Sequence, residues 1–205
     1  MMIVTKLEPV TKTKYKVFLD GEFAFVLYKG ELSRYGIKED AQIEDEVYER
    51  VMNEVLFKRA KLRAMHLLED MDRTESGLRE KLRQGLYPDA AIDKAIQYVK
   101  SFGYIDDLQY AKRFIESKKQ IKSRREIYAQ LNKKGVAQDL IDLAFEDCYE
   151  TGGERDAILQ IMRKKRVDPT QAGEDEMRRL YGYLARKGFR YDDIRQVIQN
   201  YNENA

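Results

Sequence analysis

The chain has 205 residues, of which 43% are hydrophobic and 36% are charged. This composition is too apolar for a disordered chain and too charged for one thick core, so it favours thin layers of amphipathic helices. No stretch approaches the roughly 20 apolar residues of a membrane span, and Lys6, Glu8 and Pro9 interrupt the place of a signal peptide. The single cysteine, Cys148, excludes an internal disulfide and predicts a cytoplasmic protein.

The formal net charge of +2 conceals a segregation of charge along the chain. Residues 1–57 contain eight Lys and Arg against eleven Asp and Glu, so the remaining residues are net basic. A mildly basic chain with concentrated clusters favours an acidic protein face or a phosphate backbone as its partner. The alternative interpretation of any single cluster is a solvated helical surface.

Residues 1–44 are predicted to form a small β-rich subdomain. Three short runs have strand-like alternation or many aromatic and β-branched residues: Met2–Glu8, Lys14–Leu19 and Glu22–Tyr28. Asp20-Gly21 lies between the last two runs and is a strong signal for a two-residue hairpin turn. A short helix over Lys29–Tyr35 is predicted to end at Gly36.

After Asp40 the periodicity becomes helical, and an internal repeat emerges. Each copy contains an i, i+4 apolar pair, a turn with glycine, and a second such pair, which predicts helix, tight turn, helix. Offsets of 49 and then 53 residues superpose the copies. The repeated positions are Leu78, Leu82, Ile92 and Ile96; Ile127, Leu131, Ile141 and Phe145; and Leu180, Leu184, Ile194 and Ile198.

The turn of each copy is predicted to close on a left-handed glycine. Gly135 and Gly188 coincide when the copies are superposed, whereas Gly85 falls one place early. The second helix of each pair is predicted to start at an acidic residue that accepts hydrogen bonds from free backbone N–H groups. These residues are Asp89 (after Pro88), Asp139, and Asp192 with Asp193.

A leading helix is predicted before each pair, over Asp45–Asp70 as one helix or two, then Asp107–Lys119, then Glu154–Lys165. The fold class is therefore mainly α, with tandem three-helix repeats in an elongated curved array behind the β subdomain. The predicted divisions are 1–44, 45–104, 105–152 and 153–205, with Gly152-Gly153 as the most flexible joint. Since one unit has little core, its stability is expected to come from stacking on its neighbours.

The sequence contains no pattern typical of catalysis, and neither a metal nor a cofactor is expected. His66 is the only histidine, and no cysteine pair accompanies it, so a structural or surface role is favoured. Cys148 superposes on Val99 and Tyr201 and is predicted to pack in the core. Asp106 and Asp107 suit a helix N-terminus, where the dipole favours negative charge.

Basic residues recur in every three-helix unit and are the candidate binding residues. A row of cations of this kind suits a nucleic-acid backbone or the groove of a filament. The candidates are Lys58, Arg59 and Arg63; Lys118, Lys119, Lys122, Arg124, Arg125, Lys133 and Lys134; and Arg163, Lys164, Lys165, Arg166, Arg178, Arg179, Arg186, Lys187 and Arg190.

Three stretches resemble the signatures of the RecX family. They are Phe102-Gly103-Tyr104-Ile105-Asp106-Asp107 with Tyr110–Phe114, Ser123–Ile127 with Leu131–Val136, and Tyr183–Ile194. The resemblance covers about residues 55–201 and implies tandem three-helix repeats. The β-rich N-terminus resembles an extension found in only some members.

Resemblance to RecX implies a regulatory protein of homologous recombination, DNA repair and the SOS response. Its relatives bind the RecA filament and suppress ATP hydrolysis, strand exchange and coprotease activity, with no catalytic residues to carry over. The implied partners are the RecA filament and, weakly and without sequence preference, single- and double-stranded DNA, with a monomer as the expected state and no membrane association.

Two other hypotheses fit the residues. Repeated helix–turn–helix pairs with basic clusters also suit a free-standing DNA-binding protein such as a repressor, which would bind duplex tightly with sequence preference. A nuclease using acidic residues and a metal ion is the third hypothesis, and it predicts cleavage of DNA in the presence of Mg²⁺ or Mn²⁺.

Overall fold

The computed structural model describes residues 1–148 and 154–203. The predicted joint at Gly152-Gly153 lies outside these residues. Residues Met1–Ile105 form one compact unit and the chain from Asp106 onward forms a second. The four-part division at residues 44, 104 and 152 stays a prediction.

The N-terminal segment is a four-stranded antiparallel sheet, in which the three predicted runs form strands and a fourth strand was not predicted. Its strands lie in the order β3-β2-β1-β4, and they are β1 (Met2–Pro9), β2 (Lys14–Leu19), β3 (Glu22–Tyr28) and β4 (Gln42–Ile43). Asp20 and Gly21 connect β2 to β3 with φ of 50° and 89°. Two successive positive φ values match the twist of the hairpin strands, which is why Asp-Gly favours this turn.

Helix α1 (Lys29–Arg34) follows β3 and closes at Tyr35, with Gly36 at φ 65°. The predicted first leading helix is one continuous helical stretch. It begins as α2 (Asp45–Arg50), passes through a π-helical segment over Val51–Leu56, and continues as α3 (Phe57–Asp70).

The pair α4 (Glu75–Gln84) and α5 (Asp89–Ser101) completes the first three-helix domain. This domain and the sheet share one hydrophobic core, in which Val4 and Phe25 of the sheet belong to the same cluster as Leu78 and Ile96. The sheet therefore buries its inner face on the helices, because a small sheet alone lacks the apolar area for independent stability.

The second compact unit contains two further three-helix domains. The second domain comprises α6 (Asp107–Lys118), α7 (Arg124–Lys133) and α8 (Gln138–Cys148). The third comprises α9 (Arg155–Lys165), α10 (Glu174–Arg186) and α11 (Tyr191–Glu203). These bounds differ from the predicted leading helices by one residue.

The repeat register is confirmed by burial. All twelve repeated positions are buried in the protein, with exposed fractions between 0% and 6%. The i, i+4 spacing puts both side chains of a pair on one helix face, and the two faces of a copy meet across the turn.

The closing glycine was predicted wrongly in the first domain. Gly135 and Gly188 have φ of 77° and 93°, but Gly85 has φ −76° and Leu86 takes the left-handed place at φ 62°. Leu86 is the residue that superposes on Gly135 at the offset of 49, so the register decides the conformation and the glycine does not. A non-glycine residue in this conformation has a steric cost, and the packing of the helix pair compensates for that cost.

The acidic helix starts are also partly corrected. Asp89 opens α5, and Asp139 and Asp192 are the second residues of α8 and α11. No side chain caps α5, so the predicted capping bond of Asp89 is wrong. Asp106, by contrast, caps α6 through a 3.0 Å bond from the Gln109 backbone N–H, and Asp107 lies in the first turn.

The second and third domains have separate hydrophobic cores among the described residues. One cluster is built around Ile115, Leu131 and Phe145, and the other around Ile158 and Leu184. Whether neighbouring units stabilise one another by stacking stays a prediction. Each domain closes its own core, and both polar and apolar side chains, among them Lys122 and Phe189, lie where the two domains touch.

We expect Leu131→Ala to destabilise the second domain by about 2–5 kcal/mol, since Leu131 is fully buried in its core and its truncation leaves a cavity. Leu143 lies in the same domain with 42% of its surface exposed, so Leu143→Ala should cost much less. Hydrogen exchange in peptides from residues 106–148 measures both. Equal protection in the two variants would contradict the assigned register.

Candidate functional site

The predicted basic residues separate into groups with different surroundings. On α3, Lys58 and Arg63 are exposed, whereas Arg59 is held by the sheet. Its Nη2 lies 2.5 Å from Glu31 Oε1, its Nη1 donates to the Val26 carbonyl at 3.3 Å, and its guanidinium lies 4.8 Å from the centroid of the Tyr28 ring. Arg59 therefore joins α3 to β3 and α1.

Two more groups lie near helix C-termini, where cations meet the negative end of the dipole. Lys119 forms an ion pair with Glu116 and donates to the Cys148 carbonyl at 3.3 Å. Lys134 lies 5.8 Å and 5.5 Å from the ring centroids of Tyr110 and Phe114. Lys118 is half-buried and Lys133 is exposed. Cys148 packs against the second-domain core, as predicted.

Seven of the predicted cations line two clefts at the junction of the second and third domains. The lysine cleft has a volume of about 570 Å³ and is lined by Ile121, Lys122, Glu126, Gln160, Ile161, Lys164, Lys165, Tyr183, Lys187 and Phe189. The arginine cleft has a volume of about 640 Å³ and is lined by Arg124, Arg125, Tyr128, Ala129, Asn132, Glu154, Ala185, Gly188, Phe189 and Arg190.

The lysine cleft carries four ammonium groups and one carboxylate. Glu126 forms a 2.6 Å ion pair with Lys122, which leaves the cleft net positive through Lys164, Lys165 and Lys187. Lys165 Nζ lies 3.8 Å from the centroid of the Tyr183 ring, a cation–π contact that limits where this ammonium points. The cleft can therefore hold an anion next to an aromatic face.

The arginine cleft places three guanidinium groups beside the same junction. The Arg124 guanidinium carbon lies 4.7 Å from the centroid of the Phe145 ring, and the aliphatic part of Arg125 faces Gly188. Arg190 is exposed on the third-domain side. Planar guanidinium groups suit bidentate contact with phosphate or carboxylate.

Ser123 lies between the two clefts and is fully buried. Its hydroxyl donates to the Lys187 carbonyl at 2.7 Å and accepts from the Glu126 backbone N–H at 3.1 Å. The hydroxyl thus caps the N-terminus of α7 and binds the C-terminal end of α10. A serine followed three residues later by glutamate is a helix-start signal, but nothing in the sequence indicated the bond to the third domain.

Glu154 also joins the two domains. Its Oε1 accepts a 2.5 Å bond from the Arg124 backbone N–H. Burial raises the pKa of this carboxyl above its ordinary value, the Arg124 N–H opposes the shift, and the nearby Asp193 carboxylate raises the pKa further. The junction therefore contains an acid that is costly to ionise.

The other third-domain candidates lie outside both clefts. Arg163, Arg166, Arg179 and Arg186 are exposed on α9 and α10 or at their ends. Arg178 is highly exposed, with a 3.6 Å contact to Asp175, and such a surface pair contributes little to stability. Gln160, Tyr183 and Phe189 line the clefts but were not predicted as site residues. An uncharged residue inside an amphipathic pattern gives no sign of a cleft between domains.

His66 is exposed on α3, in contact with Glu69 at 3.6 Å. In the described part of the chain, no group of three or more His, Cys, Asp or Glu side chains is arranged to hold a metal ion. No helix within residues 1–148 and 154–203 is long and apolar enough to cross a membrane.

The fold and the clefts define a protein of tandem three-helix domains with a basic surface where two domains meet. Family models match all three helical domains: the first three-helix domain of RecX at residues 60–98, the second at 106–144 and the third at 153–198. The chain belongs to the RecX family.

Curated relatives agree over nearly the full length. The chain is 34% identical to Regulatory protein RecX of Caldanaerobacter subterraneus subsp. tengcongensis, covering 97% of this chain and 98% of the relative. It is 30% identical to Regulatory protein RecX of Clostridium beijerinckii, covering 97% and 95%.

Two crystal structures share the fold at 20% identity. A structure of regulatory protein RecX covers 96% of this chain and 98% of its own, with a TM-score of 0.63. The structure of RecX from Lactobacillus salivarius covers 71% of this chain and 96% of its own, with a TM-score of 0.62.

Arg59→Ala should destabilise the first compact unit by roughly 1–3 kcal/mol, because it leaves Glu31 and the Val26 carbonyl without this charged donor. Lys58→Ala, one residue earlier and exposed, should change the free energy of unfolding by less than about 0.5 kcal/mol. Urea denaturation followed by circular dichroism compares them. Matching denaturation curves for the two variants would show instead that Arg59 behaves as a solvent-facing cation.

The raised pKa of Glu154 predicts a pH-dependent effect of Glu154→Gln. A raised folded pKa means that the stabilisation from this group is present below its unfolded pKa, near 4.5, and is lost as pH rises through the folded value. Glutamine keeps an oxygen for the Arg124 N–H without ionising. The variant should therefore gain stability over wild type as pH rises from about 4.5 towards neutrality, measured by denaturant unfolding. Parallel pH profiles would contradict the shift.

Proposed function

We propose that this protein regulates homologous recombination by binding the RecA filament and inhibiting its ATPase, strand-exchange and coprotease activities. The observation that carries the proposal is the pair of basic clefts at the junction of the second and third domains. They concentrate seven cations that lie on α7 and α9 or beside the ends of α7, α10 and α11. They belong to a chain whose relatives are named regulatory proteins.

The chemistry of the clefts fits a filament that presents carboxylates and DNA phosphates. The ammonium groups of Lys164 and Lys187 act as point charges, while the planar guanidinium groups of Arg124 and Arg190 can make two parallel hydrogen bonds. Contacts of this kind are individually weak, but a protein that makes several of them along one filament gains affinity through effective concentration. Inhibition then needs no catalytic residue and no cofactor, and the protein acts by occupying the filament.

Several finer points belong to the same proposal. The protein acts in the cytoplasm as a monomer, in DNA repair and the SOS response, and binds single- and double-stranded DNA weakly and without sequence preference. Weak binding that declines steeply with salt is the expected behaviour of phosphate contacts without base readout. Tight binding to one duplex sequence at moderate salt would favour the repressor hypothesis instead.

The first test is single-strand-dependent ATP hydrolysis by RecA from the same organism, titrated with the protein. Hydrolysis should fall, and the protein-to-RecA ratio at half-inhibition separates binding at filament ends from binding along the groove. Undiminished hydrolysis at saturation, together with no detectable filament binding, would overturn the proposal. Recovery of cleaved DNA after incubation with Mg²⁺ or Mn²⁺ would favour a nuclease.

The clefts predict a specific pair of variants. Lys164→Ala with Lys187→Ala removes two cleft ammonium groups and keeps the Lys187 backbone carbonyl that binds Ser123. Inhibition of RecA should weaken by about tenfold or more if the two contacts together contribute about 1.4 kcal/mol.

The matched control is Arg178→Ala with Arg179→Ala, which removes the same charge from an exposed surface that lines neither cleft. The control should inhibit nearly as well as wild type. An equal loss in both double variants would show that net charge matters and that the clefts do not.

A further inference from the structure

We propose that Ser123 is a positioning residue: its hydroxyl fixes the third domain against the second and thereby holds the two basic clefts in their mutual arrangement. This inference rests on the proposed function for its consequence in RecA inhibition. The part of the inference that concerns the arrangement of the two domains involves this protein alone and is tested separately.

The first observation is that Ser123 serves two helix ends with one hydroxyl. As N-cap of α7 it accepts from the Glu126 N–H, and with its own proton it binds the carbonyl of Lys187, the residue that closes α10. Both partners are terminal backbone groups that the helices leave without an internal bond. The contact therefore joins the positive end of α7 to the negative end of α10.

The second observation is the close approach of Gly188 to the same point. A Cβ on Gly188 would lie 3.0 Å from Ser123 Oγ and 3.1 Å from Arg125 Cβ, and the residue has φ 93°. The left-handed glycine that ends α10 is thus also the surface on which the start of α7 rests. The Arg124 N–H bond to Glu154 adds a third contact between the same domains.

The third observation is that these contacts are not reinforced by a shared core. The buried apolar residues of the second and third domains fall into separate clusters in the described part of the chain. Polar interfaces between separately folded domains permit relative motion by default. The orientation of the third domain therefore depends on directional contacts such as the Ser123 bond, and the Ser123 side chain is fully buried.

The bond between Ser123 and Lys187 also lies at the boundary between the two clefts, along the second-domain segment and along the third-domain segment. Lys122 lines the lysine cleft and Arg124 lines the arginine cleft, with Ser123 between them; Lys187 lines the lysine cleft and Gly188 the arginine cleft. A displacement at this bond consequently changes the spacing of cations in both clefts at once. Contacts to a filament of fixed geometry require that spacing.

The structural test measures a distance between the two domains. In a Cys148→Ala background, spin labels at Gln138→Cys and Gln199→Cys, both exposed, report the separation of α8 from α11 by double electron–electron resonance. The unmodified junction should give a narrow distribution. Ser123→Ala should broaden or shift it, while hydrogen exchange within α7 and α10 remains slow.

Gly188→Ala provides a second variant, which keeps the serine and places a Cβ against its hydroxyl. Its control is Gly36→Ala, which carries a similar backbone strain at φ 65° but would meet no atom within 4 Å. Gly188→Ala should alter the distance distribution, and Gly36→Ala should not. An unaltered distribution in both Ser123→Ala and Gly188→Ala would overturn the proposal.

Inhibition of RecA separates this inference from the proposed function. If wild type inhibits and Ser123→Ala loses potency while folded, the positioning role is supported. If Ser123→Ala shifts the distance and still inhibits as wild type does, Ser123 fixes the domains but its consequence for inhibition is wrong, and the proposed function stands. If wild type itself fails to inhibit, the proposed function is wrong, and the distance measurement alone then decides whether Ser123 fixes the domains.

Discussion

Every helical domain of this protein depends on one constraint: two i, i+4 apolar pairs must face each other across a turn that closes on a left-handed residue. The constraint is met in each copy, with Ile127 and Leu131 facing Ile141 and Phe145 in the second. It is strong enough to put Leu86 at φ 62° where the other copies have glycine. Packing of the pair outweighs local preference at this position, because the buried side chains hold both helices in place.

Closure of each pair has a consequence for the surface between domains. Once the apolar cores of the second and third domains are buried internally, helix ends and polar side chains supply the hydrogen bonds that join the domains. Ser123, Glu154 and Gly188 supply the contacts, and the unsatisfied backbone groups of α7 and α10 supply the bonding partners. Cations that flank these helix ends then line the clefts, so that the same segments build the junction and the basic surface.

The elements and the core were predictable because burial repeats along the chain with a fixed offset. The first three strands, the hairpin at Asp20-Gly21, and the buried register follow from periodicity and turn chemistry, whereas the two-residue strand β4 was not predicted. The clefts were only partly predictable. Sequence patterns identify cations but not their neighbours, and Arg59 next to Lys58 shows the difference: one is bound to Glu31 and the Val26 carbonyl, the other is solvent-exposed. Such long-range partners leave no local signal.

The same distinction explains why counting charges is a poor guide to the binding surface. Lys119 and Lys122 are paired with carboxylates on their own helix ends, and Arg178 is a cation on an open face. Water screens the field of an exposed charge, whereas a charge beside apolar walls such as Ile161 and Phe189 is screened less. For equal charge, the cations of the lysine cleft therefore attract an anionic partner more strongly than those on the open helices. The proposed binding surface therefore follows from where the domains meet and not from how many basic residues the chain contains.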